Sequence, residues 1–162
     1  MGASLACIMI DCTLHPPHAA LRPFIGSYFC LSSAHRRDSQ TLPAGRACLW
    51  IVRRGTAKLT CGPEPHKAIW PVTLTGPFHR HHALDMNDHA HIFGAWLTPT
   101  GWGGLIKRAA NRCADQASDA AFDLGASVAQ LPGEMANCAC FSEMAQVADT
   151  FFAQHLAPIP AR

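Results

Sequence analysis

Ala47-Cys48-Leu49-Trp50-Ile51-Val52-Arg53-Arg54-Gly55-Thr56-Ala57-Lys58-Leu59-Thr60-Cys61 is the stretch whose pattern decides the fold. Its first arm, Cys48 to Val52, is apolar at every position, as in a strand covered on both faces. Its second arm alternates: Thr56, Lys58 and Thr60 are polar, while Ala57, Leu59 and Cys61 are apolar. That period of two belongs to a strand with one wet and one dry face. Arg53-Arg54-Gly55 lies between the arms and reads as a turn, so the whole stretch predicts a β-hairpin.

The same pattern continues outward in both directions. From Phe24 to Leu97, strand-like runs are separated by turn signals at Pro43-Ala44-Gly45, Arg54-Gly55, Gly62-Pro63, Gly76-Pro77 and Asn87-Asp88. Short strands at regular spacing predict an antiparallel β-barrel or sandwich over this span. Trp70, Val72 and Leu74 alternate with Pro71, Thr73 and Thr75. Pro71 has no N–H for a ladder, which places this strand at an edge or bulge. Residues 1–20 show no sustained period and read as an irregular arm.

After Trp102 the period becomes helical. Gly101-Trp102-Gly103-Gly104 reads as a tight entry into a helix beginning near Leu105. Val128, Leu131, Met135 and Cys138 recur at helical spacing, with Pro132-Gly133 keeping that segment short. Phe141, Met144, Ala148, Phe151, Phe152 and His155 mark one face of an amphipathic helix running to Leu156. Pro158 and Pro160 make 157–162 a linker-like tail. The expectation is one α+β domain over 21–156, an antiparallel barrel followed by two or three helices.

Composition narrows the function. At 162 residues, 49% apolar and 15% charged, the chain is long enough to bury a core without covalent staples. Its net charge is only +2, and its basic residues occur as pairs (Arg36-Arg37, Arg53-Arg54, Lys107-Arg108) rather than as a stripe, so the electrostatic footprint of a nucleic-acid binder is missing. The apolar run to Ile10 has no basic residues before it and is broken by Asp11, so no export signal is read. The expected location is cytoplasmic, with the eight cysteines reduced and packed as small hydrophobes. No apolar run approaches the roughly 20 residues that cross a bilayer, so no membrane partner is expected.

A family pattern runs through the same residues. Leu21-Arg22-Pro23-Phe24-Ile25, Leu42-Pro43-Ala44-Gly45, Thr75-Gly76-Pro77 and Phe93-Gly94-Ala95-Trp96-Leu97-Thr98-Pro99-Thr100-Gly101 follow one another in that order. Together with the helical tail, this order resembles the amino-terminal cupin-like sensor domain of AraC-type transcription regulators, over roughly Leu21 to Leu156. The resemblance implies a cupin-like barrel that binds a small-molecule effector and helices that serve a homodimer. It also implies DNA binding only through an appended helix-turn-helix domain, which has no counterpart in these residues.

Two groups of side chains are candidates for a site. Trp50, Trp70 and Trp96, with Tyr28, can line an apolar cavity while offering an indole N–H or a phenol. Five histidines fall between His79 and His91. If the chain turns around Asn87, strand alternation puts His79, His81, His89 and His91 on one face, and a one-residue slip brings in His82 instead. His81 and His91 are therefore candidate ligand-binding residues beside the aromatics. The set His79, His81, His89 and His91 is the alternative, the metal site of a cupin-like metalloprotein or enzyme. The glutamate and the later histidine of the cupin metal pattern are missing from their usual spacing, so neither a metal nor another cofactor is expected. No nucleophile-base pair, phosphate-cradling loop or pair of catalytic carboxylates is present, so binding rather than catalysis is expected.

Overall fold

The structure, a computed structural model, describes residues 10–34, 36–42, 44–60 and 67–156. Residues 1–9 of the expected arm, Pro43, Cys61, the Gly62-Pro63 turn and the 157–162 tail lie outside the described residues. The strands are β1 (Ile10–His15), β2 (Ile25–Ser33), β3 (Arg37–Leu42), β4 (Cys48–Thr60), β5 (Lys67–Ala68), β6 (Val72–Thr75), β7 (His82–Leu97) and β8 (Ala117–Asp119). The helices are α1 (Pro99–Leu105), α2 (Ala121–Leu124), α3 (Leu131–Ala136) and α4 (Phe141–His155).

The stretch from Cys48 to Thr60 is one strand and not a hairpin. It pairs antiparallel with β7 along nearly its whole length, from Cys48↔Trp96 to Val52↔Ile92 and again from Thr56↔Asn87 to Thr60↔Ala83. Between these blocks the register shifts twice, on either side of the Arg54↔His91 pair: Arg53 is extra in β4, and Gly55 then stands alone against Asp88, His89 and Ala90. Gly55 has φ +74°, and a Cβ there would lie 2.6 Å from the Ala90 Cα. Asp88 and His89 also take positive φ, 58° and 53°. Both sequence signals for a turn are thus spent on one doubly shifted, bulged region in the middle of the two longest strands.

The bulge also changes the parity of β4. Even-numbered Cys48 and Trp50 and odd-numbered Ala57 and Leu59 all join one core, because the register shifts by an odd number between them. Leu49 and Ile51 face the opposite core, so the all-apolar arm is covered on both sides as its composition requires.

The sheet runs β1-β2-β7-β4-β6-β8, with β3 paired to β7 and β5 to β4. It is open, with β1 and β8 as the ends of the path, so the closed barrel expected from the strand spacing is not formed. β1 corrects the irregular arm: Ile10 to His15 pair residue for residue with Ser33 to Tyr28. β6 is not an edge, since β8 covers it. Pro71 stands just ahead of the strand, where only its carbonyl is used, accepting from Val52 N.

All four helices stand on one face of the sheet. α1 ends at Leu105, where a helix was expected to begin. Its start is set by Thr98, whose hydroxyl caps Gly101 N at 3.0 Å, and by Pro99 in the first turn. α3 is six residues long, as Pro132-Gly133 implies, and Val128, Leu131, Met135 and Cys138 are all buried. α4 spans the expected residues and buries Met144, Ala145, Ala148, Phe151 and Phe152. Its partners are α3 and the sheet face, where Tyr28 stacks on Phe152 and Phe93 meets Phe141 edge-on.

Candidate functional site

The face turned away from the helices is concave and is not filled. It holds a cavity of about 440 Å³. Strand alternation builds its wall: β2 sends Phe29 and Leu31 here and Tyr28 and Cys30 to the helices, and β4 contributes Cys48 and Trp50. Phe29 meets Trp50 edge-on (centroids 5.4 Å) and Trp96 at a tilt (5.3 Å). Gly94 pairs with both Phe29 and Trp50, and a Cβ on it would lie 2.0 Å from the Phe29 ring. The glycine is required because the ring lies over the backbone.

The polar groups of the wall are few. Trp50 Nε1 donates to Thr75 Oγ1 at 2.8 Å, so the indole turns an apolar ring to the cavity and hides its N–H in the wall. Gln40, Arg46 and His82 are the other polar side chains lining the space, and Arg46 is exposed. His82 is 6% exposed and stacks on Phe78 with centroids 3.7 Å apart. Its Nδ1 is buried with no hydrogen-bond partner among the described residues. Burial pushes the His82 pKa below the usual 6.5, against the pull of the Arg80 backbone and of Asp115. The ring is therefore neutral at neutral pH.

Of the residues picked from the sequence, Trp50 and Trp96 line this cavity. Tyr28 lies in the opposite core, where its hydroxyl donates to Asp149 Oδ1 at 2.7 Å. Trp70 is half-buried outside the cavity wall, and His81 is exposed. His91 is half-buried with Nδ1 3.2 Å from Arg53 Nη1. Burial, then Arg53 and Arg54, lower its pKa. His79 is exposed and pairs with Asp115 at 3.1 Å, and His89 is exposed at the bulge. The alternative set His79, His81, His89 and His91 does not converge, because its shared face required a turn at Asn87 and β7 runs on through that point. Among the described residues no group of three or more His, Cys, Asp or Glu is placed to hold a metal ion. The lining residues Phe29, Leu31, Phe78, Gln40 and Arg46 were not picked from the sequence, and His82 entered there only through a one-residue slip of the histidine set. His82 carried a usable signal, since it shares strand parity with Leu84 and Met86 and so sits in an apolar row.

A family model described as "Domain of unknown function (DUF6597)" matches residues 13–119. The chain belongs to the DUF6597 family. DUF6597 is known as an AraC-associated amino-terminal domain, in agreement with the resemblance read from the sequence. The DUF6597 segment runs from within β1 to the end of β8 and contains the cavity lining apart from Cys12. Among solved structures, the chain is similar to one titled "Crystal structure of the AraC-like transcriptional activator CuxR", with 12% identity and a TM-score of 0.42. That similarity covers 95% of this chain and 64% of the other. No curated protein matches the chain. No helix among the described residues is long and apolar enough to cross a membrane.

The DUF6597 sheet is tied to the helices beyond it by two arginines. Arg53, in the bulged region of β4, donates from Nε to the Met135 carbonyl at 3.0 Å and from Nη2 to the Cys138 carbonyl at 2.6 Å. It thereby satisfies carbonyls at and just past the end of α3. Arg108 grips Asp123 of α2 with two bonds of 2.8 and 2.6 Å. Its own carbonyl accepts from Trp102 Nε1 at 2.8 Å.

Proposed function

We propose that this chain is the effector-binding domain of an AraC-type transcription regulator. In this reading the open, bent sheet is a cupin-like sensor that takes a small molecule into its concave cavity. The helical side forms a homodimer, the protein works in the cytoplasm, and DNA is reached only through a separate helix-turn-helix domain. The domain acts by binding and not by catalysis. The observation that carries the reading is the cavity itself: its volume of about 440 Å³ lies within the roughly 300–1,000 Å³ usual for small-molecule sites. Aromatic walls with a few polar side chains are the lining such sites use. Membership of an AraC-associated domain family supports the regulatory role. Arg53 supplies a direct path from the bulge of β4 to the α3 carbonyls, along which a filled cavity can alter the helical side.

A melting-temperature screen of the chain against small molecules tests this. A ligand present at 100 times its Kd adds about 2.7 kcal/mol, a rise of roughly 5–10 °C for a domain of this size. The expected hit loses its effect in Leu31→Trp, which fills the cavity. A panel of mono- and bicyclic compounds that produces no shift would contradict the reading.

A further inference from the structure

The described lining of the cavity is unbalanced in charge. Arg46 is its charged side chain: neither Asp nor Glu stands beside it there, and burial holds His82 neutral. The backbone that carries Arg46 is tied down, because Gly45 and Phe78 exchange two backbone hydrogen bonds of 3.0 and 2.9 Å. Gly26, the extra residue where β2 shifts register against β7, leaves bare backbone under the guanidinium, since a Cβ there would lie 3.0 Å from Arg46 Nη1. The same Cβ would lie 3.9 Å from that of Trp96, so the exposed guanidinium stands on the Trp96 side of the rim.

Ligand classes fare differently against this wall. A sugar presents hydroxyls on every side and needs several partners, yet apart from Arg46 the polar side chains are Gln40, His82 and two thiols, and the Trp50 N–H is already given to Thr75. An organic cation is drawn to the faces of aromatic rings and is held best where several faces surround it. Here the rings spend faces on one another: His82 stacks on Phe78 at 3.7 Å, and Phe29 meets Trp50 edge-on. The cation would also meet Arg46, like charge against like charge. An acid gains at that position what a cation loses, because the guanidinium fork matches a carboxylate with two parallel hydrogen bonds. Phe29, Trp50 and Trp96 are flat apolar surfaces suited to the rest of the molecule.

We infer that the cavity takes a small organic acid with a flat apolar body, its carboxylate on Arg46 at the rim and its body against Phe29, Trp50 and Trp96. This inference rests on the cavity being the effector site.

Equilibrium dialysis of the full chain against 2-naphthoate, 2-naphthamide and 2-naphthylmethylamine, at neutral pH and low salt, tests it, because these probes share one ring system and differ in charge. The acid is expected to bind about 5-fold more tightly than the amide, the effect of an ion pair at an exposed arginine, and the amine more weakly than either. The preference should shrink as salt is raised, since an exposed pair is screened. In Arg46→Gln the amide should bind as it does to the wild type, which shows that the cavity is intact, while the acid falls to the level of the amide. Equal affinity of the wild type for acid and amide would overturn the inference without any variant. So would an amine that binds more tightly than the acid, or a preference for the acid that survives in Arg46→Gln. In each of these cases the cavity would still be a binding site. If none of the three probes bound, the sensor reading would fail with the inference.

Discussion

The two faces of the sheet are built from the same strands and treat polar atoms in opposite ways. On the helical face Tyr28 donates to Asp149, Arg53 to two carbonyls, Trp102 to the Arg108 carbonyl and Arg108 to Asp123. On the concave face a void remains, and the His82 Nδ1 beside it has no partner. A layer packed for stability pairs its buried polar groups, because each one left unpaired costs roughly 1–3 kcal/mol. The void, walled by aromatic rings and few polar groups, is what the proposed function assigns to a ligand. In the proposed reading the helical face holds the domain together and the concave face is where it binds.

Substitutions on the two faces should therefore differ in size and in sign. The largest effect is expected for Phe152→Ala, where a ring 1% exposed lies between α4 and Tyr28. Urea unfolding should show a loss of about 3–5 kcal/mol. A smaller loss is expected for Arg53→Ala, roughly 2–3 kcal/mol for two charge-assisted bonds to carbonyls at the end of α3. The same experiment on the concave face should reverse the sign. His82→Phe removes the unpaired nitrogen and is expected to be neutral or to stabilise by up to about 1 kcal/mol. A loss of about 2 kcal/mol there would mean that the imidazole belongs to the packed structure and not to a binding site.

The smallest effect is the pH dependence. Burial lowers the pKa of both His82 and His91 below 6.5 in the folded chain. The unfolded chain then binds protons at these positions before the folded chain does, so stability rises with pH across this window. It is complete above about pH 6.5 and is lost as the pH falls from there toward the folded values. The urea midpoint should drop between about pH 7.5 and pH 5.5, and it should drop less in His82→Phe. An equal drop in that variant would place the titration elsewhere.

How far the sequence carried the fold depended on whether the deciding contact was local. The faces of β4 were readable residue by residue, since alternation is a property of neighbours. The turn at Arg54-Gly55 was not, because a tight turn and a bulge use the same left-handed backbone. Pairing with the distant β7, whose Asp88 and His89 share that conformation, selects the bulge. β1 was hidden because Asp11, Thr13 and His15 alternate with residues that are themselves outward, Leu14 being 59% exposed. α4 was legible from its own period. At the site, Trp50 and Trp96 announced themselves as aromatics in strands. His82 was obscured by His79 and His81, which lie ahead of the strand and are exposed. Tyr28 went to the helical core because the residue after it, Phe29, took the concave side.

The tryptophans mark the two faces and give the most direct test of which one binds. Trp50 and Trp96 line the cavity, Trp102 lies in the helical core with its indole on the Arg108 carbonyl, and Trp70 stands outside both. Titration of the nitrogen-15-labelled chain with a compound that raises its melting temperature, read at the indole N–H signals and assigned with single Trp→Phe variants, separates them. The account predicts that the Trp50 and Trp96 signals move with one common saturation curve while Trp70 and Trp102 stay in place. Movement of Trp102 with Trp50 and Trp96 unchanged would put the ligand on the helical face and contradict it.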